Sequence, residues 1–143
     1  MSDALPSPAD LIPHRPPFLL VDELTELVVG ERASGRWHIT GDEQFLAGHF
    51  PGRPTVPGVL LIESLAQLGA CAVLADERYA NKLPLFGGID GARFRRQVLP
   101  GDTLDLEIEM VRLSARGGKG TARAMVEGDV AASGELLFIL VDP

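Results

Sequence analysis

Cysteine is almost absent from this sequence, because Cys71 is the only one among 143 residues. An internal disulfide is therefore impossible, and a zinc site built from cysteines is excluded. Cys71 lies inside a long apolar segment, so we expect a small buried hydrophobic residue rather than a nucleophile. His14 and His38 show no ligand spacing with each other or with His49, so we expect neither a metal site nor a cofactor.

Positive charge and long apolar runs are also scarce. The 13 lysines and arginines are outnumbered by 20 acidic residues, and the formal net charge is −7. Nucleic-acid binding generally needs a basic surface, so this balance argues against it. No stretch reaches the ~18 apolar residues of a transmembrane helix without a polar break. The acidic, proline-containing N-terminal stretch is unlike a signal peptide. We therefore expect no membrane association and a cytoplasmic location.

The length and composition of the chain indicate one globular domain over residues 1–143. Hydrophobic residues make up 45% of the sequence and charged residues 23%. A chain of this size buries roughly 68–70% of its unfolded surface, which is enough for a real hydrophobic core. We find no internal repeat, linker or low-complexity block.

The order of apolar segments and turn residues predicts two strands, one long buried helix and four further strands. Leu104, Leu106, Ile108 and Met110 alternate with charged residues, which is typical of a half-buried strand. The glycine-rich stretch 116–120 does not match a phosphate-binding loop and predicts a flexible hairpin. The predicted elements are a short helix at 7–11, strands at 18–29 and 33–39, a helical turn at 42–47, a helix from 59 to about 77, and strands at 85–98, 104–110, 121–126 and 130–141. This order predicts an α+β fold, with an antiparallel sheet curled around one helix.

Three polar residues interrupt the apolar helix: Glu63, Ser64 and Gln67. Glu63 and Gln67 are four residues apart and share one stripe of the helix, with Ser64 at its edge. A buried carboxylate is costly unless it is paired, protonated or used. Periodicity alone leaves two interpretations open, a polar seam at a catalytic cleft and a solvated stripe on a partly exposed helix.

His49 lies in the constrained stretch Gly48–Gly52 and shifts the balance towards a catalytic cleft. Histidine is the usual general base near neutral pH, and a glutamate in apolar surroundings can act as an acid. Pro57 and Gly58 precede the helix, whose first amides favour a developing negative charge. A base, an acid and an oxyanion site within fifteen residues suit the removal of a proton next to a carbonyl and the loss of a hydroxyl.

Four stretches, which span about residues 11–140, resemble one family in their residues and in their order along the chain. They are LIPHRPPFLLVDEL, GHFPGRPTVPGVLLIESLAQ, GGIDGARFRRQVLPGDTLDLEIE and GELLFIL, and they are similar to the 3-hydroxyacyl-[acyl-carrier-protein] dehydratases of the FabZ type. The related FabA dehydratase-isomerases carry an aspartate where this chain has Glu63. The resemblance implies a hotdog fold, in which the sheet wraps around one long central helix. It also implies dehydration of 3-hydroxyacyl thioesters to trans-2-enoyl thioesters in fatty-acid biosynthesis.

The same resemblance implies roles for individual residues. It makes His49 the catalytic histidine, Glu63 the catalytic acid and the Gly58 amide the donor to the thioester carbonyl. The further substrate-binding residues that we predict are Phe50, Val59, Gln67 and Phe86. Pro16 and Leu85 stand where the family often has tyrosine, which bears on acyl-tunnel gating and chain length rather than on the chemistry.

The resemblance also implies partners, namely an acyl carrier protein and a second copy of the chain, in homodimers that often assemble as trimers of dimers. Arg93, Arg95 and Arg96 form a basic patch that would suit an acidic carrier. A solvated strand face is the alternative interpretation of this patch. Two other functions remain open, a hotdog acyl thioesterase and a non-catalytic acyl-binding subunit.

Overall fold

Residues 4–143 are described by a computed structural model, which begins with a short helix, α1 (Pro8–Leu11). Ser7 is its N-cap and Pro8 its first residue, as the sequence predicts. The Ser7 amide donates to the Asp10 carboxylate at 3.1 Å. This helix contacts the central helix of the domain.

A six-stranded antiparallel sheet forms most of the domain. Its strands are β1 (Glu23–Val28), β2 (Arg32–His38), β3 (Leu83–Phe94), β4 (Thr103–Ser114), β5 (Gly117–Val126) and β6 (Asp129–Val141). They lie in the order β1-β2-β4-β5-β6-β3, so β1 and β3 are the two edges. The sheet curves around one long helix, α2 (Gly58–Leu74), and the predicted hotdog architecture is thereby confirmed.

The core lies between α2 and the concave face of the sheet. Leu104, Leu106 and Ile108 of β4 are buried there, which confirms the alternation read from the sequence. Gly69 of α2 faces a side chain of β6, because a Cβ atom at this position would be 2.5 Å from the Phe138 ring. A glycine therefore lets the Phe138 side chain pack directly on the helix backbone.

Two predicted strand boundaries are wrong, and side chains explain one of them. The predicted strand at 18–29 begins only at Glu23. The Leu20 amide donates to the Gln67 side chain at 2.8 Å, and the Leu20 carbonyl accepts from Ser64 at 2.7 Å. Residues 18–20 therefore bind the helix instead of a strand. The predicted strand at 85–98 ends at Phe94, and the Val98 carbonyl accepts from the Val56 amide at 2.9 Å.

The predicted helix end and the predicted flexible hairpin also differ from the structure. Helix α2 ends at Leu74 rather than near residue 77. The turn between β1 and β2 contacts this end, where the Gly30 amide donates to the Ala72 carbonyl at 2.9 Å. Residues 117–120 belong to β5 and pair with both β4 and β6, so the glycine-rich stretch is part of the sheet. The predicted helical turn is a 3-10 helix, Gln44–Gly48.

Cys71 and His38 have the environments expected from the sequence. Cys71 is fully buried, and burial raises the pKa of its thiol to about 12. It is a core residue and no nucleophile. His38 is exposed at the end of β2, with Nδ1 2.8 Å from the Thr103 hydroxyl. Within residues 4–143, no helix is long and apolar enough to cross a membrane. A cytoplasmic location stays a prediction.

Candidate active site

His49 follows the 3-10 helix and is held by its own loop. Its amide donates to the Leu46 carbonyl at 3.1 Å, and its carbonyl accepts from the Thr55 amide at 2.8 Å. The ring atom Nδ1 lies 2.8 Å from the Thr55 carbonyl oxygen. A carbonyl oxygen only accepts, so Nδ1 carries the hydrogen and Nε2 keeps its lone pair. The loop thus fixes the tautomer that a general base requires.

Exposed apolar side chains lie beside His49 and, separately, at the start of α2. The Phe50 ring stacks on the His49 ring with 4.2 Å between centroids, and Phe50 is 55% exposed. Gly58 is the first residue of α2, and a Cβ atom there would lie 2.9 Å from the Phe94 ring. Val59 is 72% exposed. The first amides of a helix have no acceptor within it, so Gly58 lies at an end suited to an oxyanion.

Glu63 lies one turn further along α2, and its side chain is 18% exposed. Its Oε2 atom accepts a hydrogen bond from Nε2 of Gln67 at 2.9 Å. The His14 Nε2 atom lies 3.8 Å from the same oxygen, which is beyond hydrogen-bond distance. Glu63 is therefore held at one carboxylate oxygen.

Gln67 is the residue that connects Glu63 to the N-terminal segment. Its Nε2 group donates to Glu63 and also to the Phe18 carbonyl at 2.8 Å, while its Oε1 accepts from Leu20 at 2.8 Å. Both amide hydrogens are thus engaged within the chain. The structure places Gln67 as a residue that positions Glu63, and a direct contact with substrate stays a prediction.

Ser64 and Gln67 are fully buried, so the interpretation of a solvated stripe is wrong for them. Each satisfies backbone groups of residues 18–20. The sequence contains a signal for this arrangement, because the prolines at 13, 16 and 17 have no amide hydrogen for a sheet. A segment of this kind packs on another element and takes its hydrogen-bond partners from side chains.

A cavity of about 260 Å³ adjoins Glu63, between α2 and the strands β3 and β6, and we call it the Glu63 cavity. Its polar lining residues are His14, Glu63 and Gln67. The rest of its surface is apolar and includes Phe86, which is therefore close to the predicted acid. His14 is a residue of this cavity that sequence reasoning missed, although it belongs to the PHR stretch on which the resemblance rests.

Among the described residues, the side-chain partner of His49 is Thr55, and the partners of Glu63 are Gln67 and His14. The Glu63 cavity has no lining residue from the His49 loop. Phe50, the neighbour of His49, lines a separate cavity together with Gly52 and Pro54. Within residues 4–143, the Glu63 cavity therefore does not include the predicted base.

The three arginines of the predicted basic patch lie at and beyond the end of β3. Arg93 and Arg95 are exposed. Arg96 is half-buried, and its guanidinium contacts the Asp129 carboxylate at 3.1 Å. Two of the three charges thus face solvent freely, whereas Arg96 is also a link to the turn between β5 and β6.

Comparison with known proteins agrees with this architecture. The FabA-like domain family matches residues 12–135. A 3-hydroxyacyl-[acyl-carrier-protein] dehydratase FabZ of Thermomicrobium roseum is 53% identical over 134 residues, which cover 94% of this chain and 90% of that protein. The FabZ of Chloroflexus aggregans is 54% identical over 133 residues, covering 93% and 92%.

A solved structure supports the fold independently. The dehydratase heterocomplex ApeI:P from Xenorhabdus doucetiae contains a chain that superposes with a TM-score of 0.84 at 17% identity, covering 97% of this chain and 93% of that one. The matches to the curated relatives cover nearly the whole chain. The chain therefore belongs to the FabA-like domain family and, within it, to the FabZ-type 3-hydroxyacyl-[acyl-carrier-protein] dehydratases.

Proposed function

We propose that this protein removes water from 3-hydroxyacyl thioesters on an acyl carrier protein and releases trans-2-enoyl thioesters, as a step of fatty-acid biosynthesis. The observation that carries the proposal is the presence of two suitable groups in one chain. His49 has its Nε2 lone pair free, because Nδ1 faces the Thr55 carbonyl. Glu63 is a carboxyl group at the polar end of a largely apolar cavity. The activity named for the relatives points the same way.

In the proposed reaction, His49 acts as the base and Glu63 as the acid. His49 Nε2 takes the proton from C2 of the acyl chain, next to the thioester carbonyl. The negative charge that develops on the carbonyl oxygen is stabilised by the Gly58 amide at the start of α2. Glu63 gives a proton to the C3 hydroxyl, which leaves as water while the C2–C3 double bond forms. His49 then holds the C2 proton, and its return to Glu63 through solvent restores both groups.

We place each site between two copies of the chain, with His49 of one subunit facing Glu63 of its partner. The separation of the two residues within one chain supports this arrangement. The exposed edge strand β3 supports it too, because Leu85, Ile89 and Phe94 expose about half of their surface to solvent. Pairing of β3 with its copy across a twofold axis would cover these side chains and create two identical sites. We propose in addition that three such dimers assemble into a trimer of dimers.

The apolar face available to a partner is not the one that the sequence suggests. Helix α2 is apolar on nearly all sides, and the sequence therefore suggests that one face of this helix is left for a second copy of the chain. In the structure the helix residues from Leu61 to Leu74, apart from Glu63, are covered within the single chain. The apolar surface left exposed lies on β3 and near the start of α2.

The test of the function is the fate of a 3-hydroxyacyl thioester mixed with the purified protein, followed by mass and by absorbance of the enoyl thioester. We expect a product lighter by one water. Release of free thiol would instead identify a thioesterase, and an unchanged substrate would identify a binding subunit. The matched control is His49→Ala, which lacks the base and should lower turnover about 10²–10⁴-fold. A folded His49→Ala protein with wild-type turnover would contradict the role of His49.

A further inference from the structure

We propose that His14 is a positioning residue for Glu63. In the working site its Nε2–H group donates to Oε2 of Glu63 and stabilises the carboxylate that remains when Glu63 has given up its proton. This inference rests on the proposed dehydratase function, in which Glu63 is the acid. His14 acts through Glu63 and not on the reacting atoms.

The His14 ring lies beside the acid, where both side chains line the Glu63 cavity. Its Nε2 atom is 3.8 Å from Oε2 of Glu63, and the two side chains are 22% and 18% exposed. A shift of about 1 Å closes this distance to that of a hydrogen bond between a ring N–H group and a carboxylate. Hydrogen bonds of catalytic groups are often long in the free protein and shorten when substrate is bound. The two side chains are therefore close enough to form this bond during the reaction.

The backbone that carries His14 is held on both sides of the residue. Arg15 Nη1 donates to the His14 carbonyl at 2.6 Å and to the Ile12 carbonyl at 2.8 Å. Ile12 is a buried residue of the core. Further along the same segment, the Phe18 carbonyl accepts from Gln67, the residue that already holds Glu63. The segment is thus fixed to the core and to α2, and the small movement required belongs to the His14 side chain.

The burial of Nδ1 indicates which ring nitrogen carries the hydrogen. Nδ1 of His14 is buried and has no hydrogen-bond partner among residues 4–143. A hydrogen on Nδ1 would be a buried donor without an acceptor, which is costly, and Nε2 would then turn a lone pair towards Oε2 of Glu63. A hydrogen on Nε2 removes both faults. The tautomer of His14 is therefore the opposite of that of His49, whose hydrogen is on Nδ1.

Oε2 of Glu63 can accept this second hydrogen bond and leave Oε1 for the reaction. A carboxylate oxygen has more than one lone pair, and Gln67 uses one on Oε2 at 2.9 Å. When the proton passes from Oε1 to the C3 hydroxyl, a negative charge remains on the carboxylate. A hydrogen bond to a charged group is stronger than one to a neutral group, so the bond from His14 strengthens as the proton leaves. An interaction that is stronger in the transition state than with bound substrate accelerates the reaction.

The test is a double-mutant cycle between His14 and Glu63, with kcat and KM measured on a 3-hydroxyacyl thioester. His14→Met removes the donor, so we expect kcat to fall about 10–100-fold, the value of one hydrogen bond to a charged group, with KM nearly unchanged. His14→Gln keeps an N–H donor on a side chain of similar length and should recover part of this loss. In the Glu63→Gln protein, which has no acidic proton to give, His14→Met should have little further effect.

His38→Gln is the matched control, because His38 is exposed at the end of β2 and does not line the Glu63 cavity. It should keep the kcat and KM of the wild type. A folded His14→Met protein with wild-type kcat would overturn this inference and leave the proposed function intact. Equal losses from His14→Met with and without the Glu63 carboxyl group would do the same. Absence of turnover by the wild type would overturn both.

NMR of the ring nitrogens tests the tautomer without any change at His14. The chain has three histidines, so two remain in His38→Gln. We expect one ring with its hydrogen on Nδ1, which is His49, and one with its hydrogen on Nε2, which is His14. Two rings with the hydrogen on Nδ1 would overturn the inference. If thermal unfolding shows that the His14 variants fail to fold, this measurement carries the test.

Discussion

Glu63 is the one acidic side chain of helix α2, and its hydrogen bonds suggest how it can be used there. Gln67 donates to Oε2 of the carboxyl group at 2.9 Å. The proton of the acid form therefore belongs on Oε1, because Oε2 is already an acceptor. In the proposed mechanism, the hydrogen bond from Gln67 positions Glu63 and leaves its other oxygen to deliver the proton.

Replacement of Glu63 by glutamine tests this role directly. Glu63→Gln keeps the shape of the side chain and an oxygen that can accept from Gln67, but it has no acidic proton. We expect a folded protein whose turnover is lower by about 10²–10⁴-fold, the usual contribution of a positioned acid. The measurement is kcat together with the melting temperature, and Glu109→Gln on the exposed side of β4 is the control. Unchanged turnover of Glu63→Gln across pH would remove the acid role.

At the scale of elements, the end of β3 is where the charge pattern suggests a partner. Arg93 and Arg95 face solvent, in a chain whose net charge is −7. Exposed charges of this kind accelerate the encounter with an oppositely charged protein more than they strengthen the final complex. Arg96 is expected to contribute less, because it already pairs with Asp129.

Charge reversal at this strand end separates docking from chemistry. We expect the double variant Arg93→Glu, Arg95→Glu to lower kcat/KM for a carrier-linked substrate more than for a small thioester analogue. The difference should shrink at high salt, where the screening length falls to ~3 Å at 1 M. Arg116→Glu, an exposed residue at the turn between β4 and β5, is the control. Equal losses on both substrates would show that the reversal disturbs the fold instead.

The sequence predicts well those elements in which the spacing of apolar residues determines which side chains are buried. The alternation in β4 and the apolar run of α2 both correspond to burial in the structure. Residues 18–20 were beyond such reasoning, because their partners are the side chains of Ser64 and Gln67, more than forty positions away. The glycines from 117 to 120 suggest flexibility locally, but two neighbouring strands hold them in the sheet.

The same distinction holds for the site. Residue type and resemblance predicted His49 and Glu63. The structure adds the tautomer of His49 and the hydrogen bond from Gln67 that holds Glu63. The proximity of His14 to Glu63 could not be derived from spacing, since forty-nine positions separate them along the chain. It arises because the proline-rich segment folds back over α2.

For the whole molecule, the prediction concerns the proposal that each site lies between two copies of the chain. Each chain presents the His49 loop and the Glu63 cavity as separate surfaces. A twofold axis would bring each surface against the complementary one of the other chain, so that a dimer has two equivalent sites. The monomer alone should then be inactive, and activity should follow dimer formation.

Complementation between two inactive variants tests this arrangement. His49→Ala and Glu63→Gln each lack one group in both sites of their own homodimer. When subunits exchange, a mixed dimer has one site with His49 and Glu63 intact and another site that lacks both. Random pairing of equal amounts makes about half of the dimers mixed, so we expect recovery to about a quarter of wild-type activity. Exchange is verified by mass with one variant isotopically labelled. Verified exchange without recovery would place both residues in the site of a single chain and contradict the shared site.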